Sequence, residues 1–270
     1  MRMPRIILLL LICCLTACQQ RIFLHHNRPS NAQITGVQFY ETAMTMQWKQ
    51  RDSFAVAAIL DGSRPDFMDW LQPVTVKAFD SATGNNITAT YYVTPDYLSV
   101  GTKDNWARIP LTPIAAQLIA DSLNCFLPTR KMVNDIYAAA VVKLAPVPMY
   151  IYRDSTVTMW QHHLIIEGQR KGQKGLIAGI KKDVVISDLL TRSSRPNRVA
   201  IYGWHQLNGK AIQPLYTGHV NWYADYSHGI RLVYRKVKVN GRWIDYTEVM
   251  ADPALKQLLT DEAVGDVLRY

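Results

Sequence analysis

Cysteine is scarce and unevenly placed. Of four in 270 residues, three are Cys13, Cys14 and Cys18, and everything beyond residue 18 carries only Cys125. Four thiols would suffice for two disulfides, but this placement argues against a disulfide framework. Charged residues make up only 19% of the chain and hydrophobic ones 49%, which excludes disorder. With 14 Gly and 13 Pro the composition also excludes a collagen-like repeat or a coiled coil. Internal repeats, low-complexity tracts, an HExxH helix and a GxSxG elbow are all absent. The longest apolar run, residues 6–15, is about half the ~20 residues a membrane-spanning helix needs.

That short run has a context. Arg2 and Arg5 precede it and Leu15-Thr16-Ala17-Cys18 follows, giving a basic region, an apolar region and two small residues before a cysteine. The segment resembles a bacterial lipobox, which implies a signal peptide over residues 1–17. It also implies a diacylglycerol thioether on Cys18, with acyl chains such as palmitate holding the protein to a membrane. Gln19 is not the Asp that retains many lipoproteins at an inner membrane, so the resemblance favours the outer membrane of the bacterial envelope. Cys13 and Cys14 would leave with the signal, and no intramolecular disulfide would remain available. Losing Arg2 and Arg5 lowers the formal charge from +9 to +7. A basic face in the envelope suits an anionic or cell-wall polymer, whereas nucleic acid is no partner in that compartment.

Residues 18–35 read as a tether and residues 36–270 as one α+β domain: a mixed or antiparallel sheet, a central helical hairpin and a C-terminal helix. Over residues 37–100 the pattern favours strands, with the type of the apolar run 55–60 left open. VTVKAF (74–79) and ITATYYV (87–93) flank the turn-forming SATGNN and predict a hairpin. Thr112-Pro113 predicts a helix start. Residues 130–144 carry Met132, Ile136, Ala139 and Ala140 on one helical face, with Cys125 near the bend between the two helices. Strands are expected again at MYIYR, HHLIIE, DVVIS, RVAIYGW, GIRLVYRKVKV and RWIDYTEV, with an Asn240-Gly241 hairpin turn. Asp252-Pro253 predicts the cap of the final helix.

The chemistry concentrates in residues 199–231. His205, His219 and His228 lie there with Asp225, Ser227, Trp204, Trp222 and Tyr226, a composition suited to a polar-bottomed, aromatic-walled cleft. Three mechanisms use these residues. His205, His219, His228 and Asp225 could ligate a divalent metal such as zinc, although the spacings match no established motif. Ser227 could join a Ser-His-Asp set. Cys125 could act as nucleophile with His219 or His228 as base.

Gly218-His219-Val220, Tyr223 and His228 together with Cys125 resemble the strand pair and nucleophile of papain-like cell-wall amidases and peptidases. That resemblance implies hydrolysis of a cell-wall bond. PDYLSVG, CFLPTRKMVNDIY, KKDVVIS, IYGWH and DYSHG resemble an uncharacterised family of exported bacterial proteins. Lys182 and Asp183 are expected to bind substrate at a strand rim, together with Trp204, Trp222 and Tyr226. His162 and His163, placed on a strand, would point to opposite faces, so only one could join a site. The alternative to a hydrolase is a non-catalytic lipoprotein whose Trp and Tyr side chains stack on a sugar or peptide.

Overall fold

The computed structural model describes residues 22–24, 33–192, 194–263 and 267–270. The expected signal peptide and Cys18 lie outside these residues. The first described segment is docked rather than free, since Phe23 bridges Trp70 and the Leu24 amide donates to the Asp69 carbonyl.

Residues 37–54, where the pattern favoured strands, and the apolar run 55–60, whose type the sequence left open, instead form α1 (Gly36–Ala43) and α2 (Trp48–Leu60). Thr35 caps α1 with a reciprocal Gln38 contact. In α2 the buried face contains Arg51 and Asp52 beside Ala55 and Ile59, so no clean apolar stripe announces the helix. The predicted hairpin follows as β1 (Gln72–Asp80) and β2 (Asn85–Val93), paired antiparallel over their whole length. A small ribbon, β3 (Ser99–Gly101) and β4 (Trp106–Arg108), leads to α3 (Pro113–Ser122), whose N-cap Thr112 accepts from the Ala115 amide.

The two central helices start where expected, but the second ends at Ala139 rather than near Leu144, and they do not lean chiefly on one another. The two-residue strand β5 (Cys125–Phe126) separates α3 from α4 (Arg130–Ala139). The first helix packs on α2, while α4 packs on β1 and on a strand of the second sheet described below.

The chain continues through β6 (Val142–Lys143) to α5 (Thr156–Arg170), capped by Ser155 and ended by a left-handed Lys171. Here the sequence pattern misled: MYIYR is a turn and HHLIIE is helical. The cause is an inverted face, because α5 buries His162, His163 and Thr158 and leaves Val157, Leu164 and Ile165 exposed.

Next come β7 (Ile177–Ala178), β8 (Lys182–Val185), α6 (Leu189–Arg192), β9 (Ala200–His205) and β10 (Ala211–Tyr216). The last elements are β11 (His228–Gly229), β12 (Val233–Tyr234), β13 (Lys236–Val239), β14 (Arg242–Asp245) and α7 (Tyr246–Ala251). Asn240-Gly241 turns β13 into β14 as expected. The last helix, however, precedes Asp252 rather than following it. The Asp252 carboxylate accepts from the Ala254 and Leu255 amides, but only a 3-10 turn over Lys256–Leu258 develops.

The architecture is α+β. A six-stranded antiparallel sheet, ordered β14-β13-β2-β12-β5 with β1 beside β2, carries most of the hydrophobic core. A second, four-stranded sheet runs β10-β9-β8-β11, and its last pairing is parallel. That parallel pairing makes Lys182 and His228 register partners, so their side chains rise from the same face.

Gly229 makes the close approach possible. A Cβ there would sit 2.5 Å from the Tyr97 ring and 2.6 Å from Lys181 Cβ. Both neighbours are buried, so neither can swing away cheaply. Gly229→Ala should therefore lower unfolding stability by ~1–3 kcal/mol, as overpacking does. Urea denaturation measures it, and an unchanged midpoint would mean that β11 is free to shift.

Candidate functional site

The second sheet brings together part of the residue set expected from sequence. His219, on an isolated bridge segment, stacks obliquely on Tyr223, with ring centroids 4.6 Å apart. Both approach His228, at 6.1 Å and 5.8 Å between centroids. His228 is 1% exposed and neither ring nitrogen has a hydrogen-bond partner. Burial lowers its pKa to about 4, so the ring is neutral at neutral pH. His219 is half-buried, and burial lowers its pKa too.

Asp225 is the hub beside this pair. Its Oδ1 accepts from the Ser227 amide at 2.9 Å and the Ser227 hydroxyl at 2.5 Å. Its Oδ2 accepts from Arg153 Nη2 at 3.0 Å and the Tyr223 hydroxyl at 3.1 Å. Burial opposes its charge, but His228, the Ser227 contacts and Lys182 outweigh that and hold the carboxyl at about 2. Four donors saturate a carboxylate. The Lys182 ammonium lies 4.7 Å from the centre of the Trp204 ring, and burial lowers its pKa. Tyr223 also lines a cleft of about 500 Å³, walled by Met44 and Trp48 at the α1–α2 turn, Thr156 at the start of α5, and Trp222.

Other expected members lie elsewhere. Cys125 is buried within β5, pairs with Tyr234 and bonds only the Leu123 carbonyl. Burial pushes its thiol far above the usual range, the reverse of an activated nucleophile. His205 stacks on Tyr137 at 4.4 Å and reaches Asn134 at 3.0 Å, both on α4, and no ring or hydrogen-bond contact joins it to His219 or His228. The expected quartet of His205, His219, His228 and Asp225 is therefore split. Among the described residues, no three His, Cys, Asp or Glu side chains are arranged to hold a metal ion.

Ser227 is fully buried with its hydroxyl spent on Asp225, so it does not serve a histidine. Asp183 points into the interior toward the Tyr97 hydroxyl, 3.3 Å away, and burial lifts its pKa to about 7. Trp204 adopts φ +56° and its indole N–H donates to the Ile180 carbonyl, so its ring supports Lys182 instead of a ligand. Tyr226 is buried with its hydroxyl accepting from the Met149 amide. Of the expected aromatic platform, Trp222 alone opens to solvent, 45% exposed.

Sequence reasoning missed a layer beneath the site. Lys181 is fully buried and donates to the Tyr226 carbonyl, with His162 Nδ1 at 3.1 Å. Burial and nearby Arg108 lower its pKa to about 7. Arg108 itself is clasped by Asp96 through two bonds, 2.5 and 2.9 Å, and by Glu167 at 2.7 Å. His163 Nδ1 accepts from the Arg108 amide at 3.3 Å. Both α5 histidines thus enter buried polar contacts, contrary to the expectation of opposite strand faces. Arg153 lies 72 positions from Asp225 in a segment expected as a strand, and no sequence signal pointed to their pairing.

No protein-family model, curated protein or solved structure matches the chain. No helix among the described residues is long and apolar enough to cross a membrane.

The buried imidazoles make stability depend on pH. Burial lowers His162 to about 2, His163 to about 3, and His205 and His228 to about 4, against 6.5 ordinarily. Between pH 6.5 and 4 the unfolded chain binds these protons and the folded one does not, so stability falls as pH falls. Asp183, raised to about 7, works in the opposite direction and offsets one of them. Net uptake of two to three protons corresponds to a slope of roughly 3–4 kcal/mol per pH unit near pH 5. Urea denaturation between pH 7.5 and 5 measures it, and a flat profile would mean that the rings are charged in the fold.

Proposed function

We propose that this protein is a lipid-anchored component of the bacterial envelope that hydrolyses a cell-wall or exogenous polymer by acid–base catalysis at the His219–His228 pair. The observation that carries the reading is His228: a neutral imidazole, buried, with both nitrogens unpartnered, facing a second imidazole beside an ionised carboxylate. Leaving a buried donor and acceptor unmet costs ~1–3 kcal/mol each, a cost that a reacting ligand would relieve. One imidazole takes a proton from water as the water oxygen attacks the scissile centre. The imidazolium then returns a proton to the leaving group. Arg153 and Lys182 stabilise the negative charge that develops between those steps. Asp225 orients the site through Tyr223 and Ser227.

The envelope location rests on Arg2, Arg5, the apolar run and Leu15-Thr16-Ala17-Cys18. A second reading, ligand binding without catalysis, is favoured by Trp48 and Trp222, both exposed on the cleft wall.

With purified peptidoglycan as substrate, His228→Gln and His219→Gln should each lower kcat/KM by ~100-fold or more, in the range typical of a lost general acid or base. Cys125→Ala should leave kcat/KM within about twofold, since a lone buried thiol takes no part. Loss of activity in the cysteine variant alone would overturn this assignment, and binding without turnover would favour the second reading. For the anchor, Cys18→Ser should abolish incorporation of a radiolabelled fatty acid and shift the protein from the membrane to the soluble fraction. Persistent labelling would place the acyl group elsewhere.

A further inference from the structure

We infer that the cluster of His219, His228 and Asp225 recognises a monoanionic substituent, a carboxylate or a phosphodiester, on the polymer beside the bond it cleaves, through Arg153 and Lys182. The inference deepens the hydrolase reading and rests on the same site.

The argument starts from which donors and acceptors are already used. Asp225 is the carboxylate at the heart of the cluster, and its two oxygens are met by Arg153, Tyr223 and the amide and hydroxyl of Ser227. It has no acceptor capacity left for a ligand. The donors are in the opposite condition. Arg153 uses Nη2 on Asp225, while its Nε, buried, has no partner, and its side chain is 42% exposed at the rim. Lys182, buried beside its register partner His228, makes no hydrogen bond through its ammonium, which lies over the face of Trp204. His228 lacks partners on both ring nitrogens, and His219 makes ring contacts alone.

These groups are near enough for their charges to act on one another. Lys182 senses both Asp225 and Arg153, and His219 senses Asp225, Lys182 and Arg153. With the Asp225 carboxylate filled, the Arg153 and Lys182 donors open and one N–H free on each neutral imidazole, the cluster is complementary to an anion.

The size of the charge follows from the same groups. Two cations face one internal carboxylate, and the imidazoles are neutral, which leaves a single unbalanced positive charge. Lys181 adds only part of a charge, because burial and Arg108 lower its pKa to about 7, and its ammonium is turned to the Tyr226 carbonyl and His162 behind the site. Asp154, at the cleft rim, is exposed to water. One net positive charge in a partly buried setting matches a monoanion, whereas a phosphate dianion would leave charge unmatched. Trp204 fixes the lysine end of the clamp: its left-handed backbone turns the indole under the ammonium.

Side-chain NMR of the histidines at pH 7.5 tests the inference, with ionic strength held constant by chloride. Sodium acetate and dimethyl phosphate should shift the His219 and His228 resonances saturably, and methyl phosphate, a monoester that is dianionic at pH 7.5, should bind at least fivefold more weakly. The neutral probe acetamide should not saturate. Arg153→Gln, on the rim, should weaken acetate binding about tenfold, and Lys182→Met should do the same. If Lys182→Met does not fold, Arg153→Gln decides alone. No saturable shift with either monoanion, equal binding of acetamide, or an unchanged affinity in Arg153→Gln would overturn the inference. The measurement involves no turnover, so anion binding without peptidoglycan cleavage would remove the hydrolase reading alone. Cleavage without anion binding would remove this inference alone.

Discussion

The clasp of Arg108 by Asp96 and Glu167 is the constraint on which the rest of the site depends. A guanidinium 1% exposed to solvent is tolerable only when its donors are met, and two carboxylates from different parts of the chain meet them. Glu167 belongs to α5, so the pair decides how that helix lies against the β3–β4 ribbon. With the helix so placed, His163 reaches the Arg108 amide and His162 reaches Lys181. Lys181 in turn holds the Tyr226 carbonyl, within the segment that carries Asp225 and His228. A chain of polar contacts thus runs from the ribbon to the cleft.

This arrangement explains why α5 was unreadable. A helix is recognised by an apolar stripe turned inward, and α5 turns histidines and threonines inward while Val157 and Leu164 face solvent. Polar docking inverted the signal. The α2 helix failed for a related reason, because Arg51 and Asp52 occupy its buried face. Where local chemistry alone sets the structure, the pattern was legible. Alternation made β1 and β2 plain, Thr112-Pro113 marked α3, and Asn240-Gly241 marked the last hairpin. Asp252 shows the limit of a local signal: it caps a turn, yet only a 3-10 turn follows, although Leu258 and Leu259 are fully buried in the core.

The candidate site was legible to the extent that its members are neighbours in sequence. His219, Tyr223, Asp225 and His228 fall within ten residues, and one folded-back loop unites them. Lys182 joins them by strand register, which sequence alone does not reveal. Residues that looked equivalent were separated by facing. His205 turned toward α4, and Trp204 and Tyr226 went inward. Arg153 entered from a distant turn that carries no mark of its role.

Cys125 has an experimental consequence. In any form of the protein that begins after Cys18, it is the sole thiol, and it is buried in the hydrophobic core on the edge strand of the main sheet. A thiol-reactive reagent can reach it only when the packing over β5 opens. Its labelling rate under native conditions therefore reports how often that part of the sheet opens. The residue that first invited a catalytic reading is instead an internal clock for the breathing of the fold.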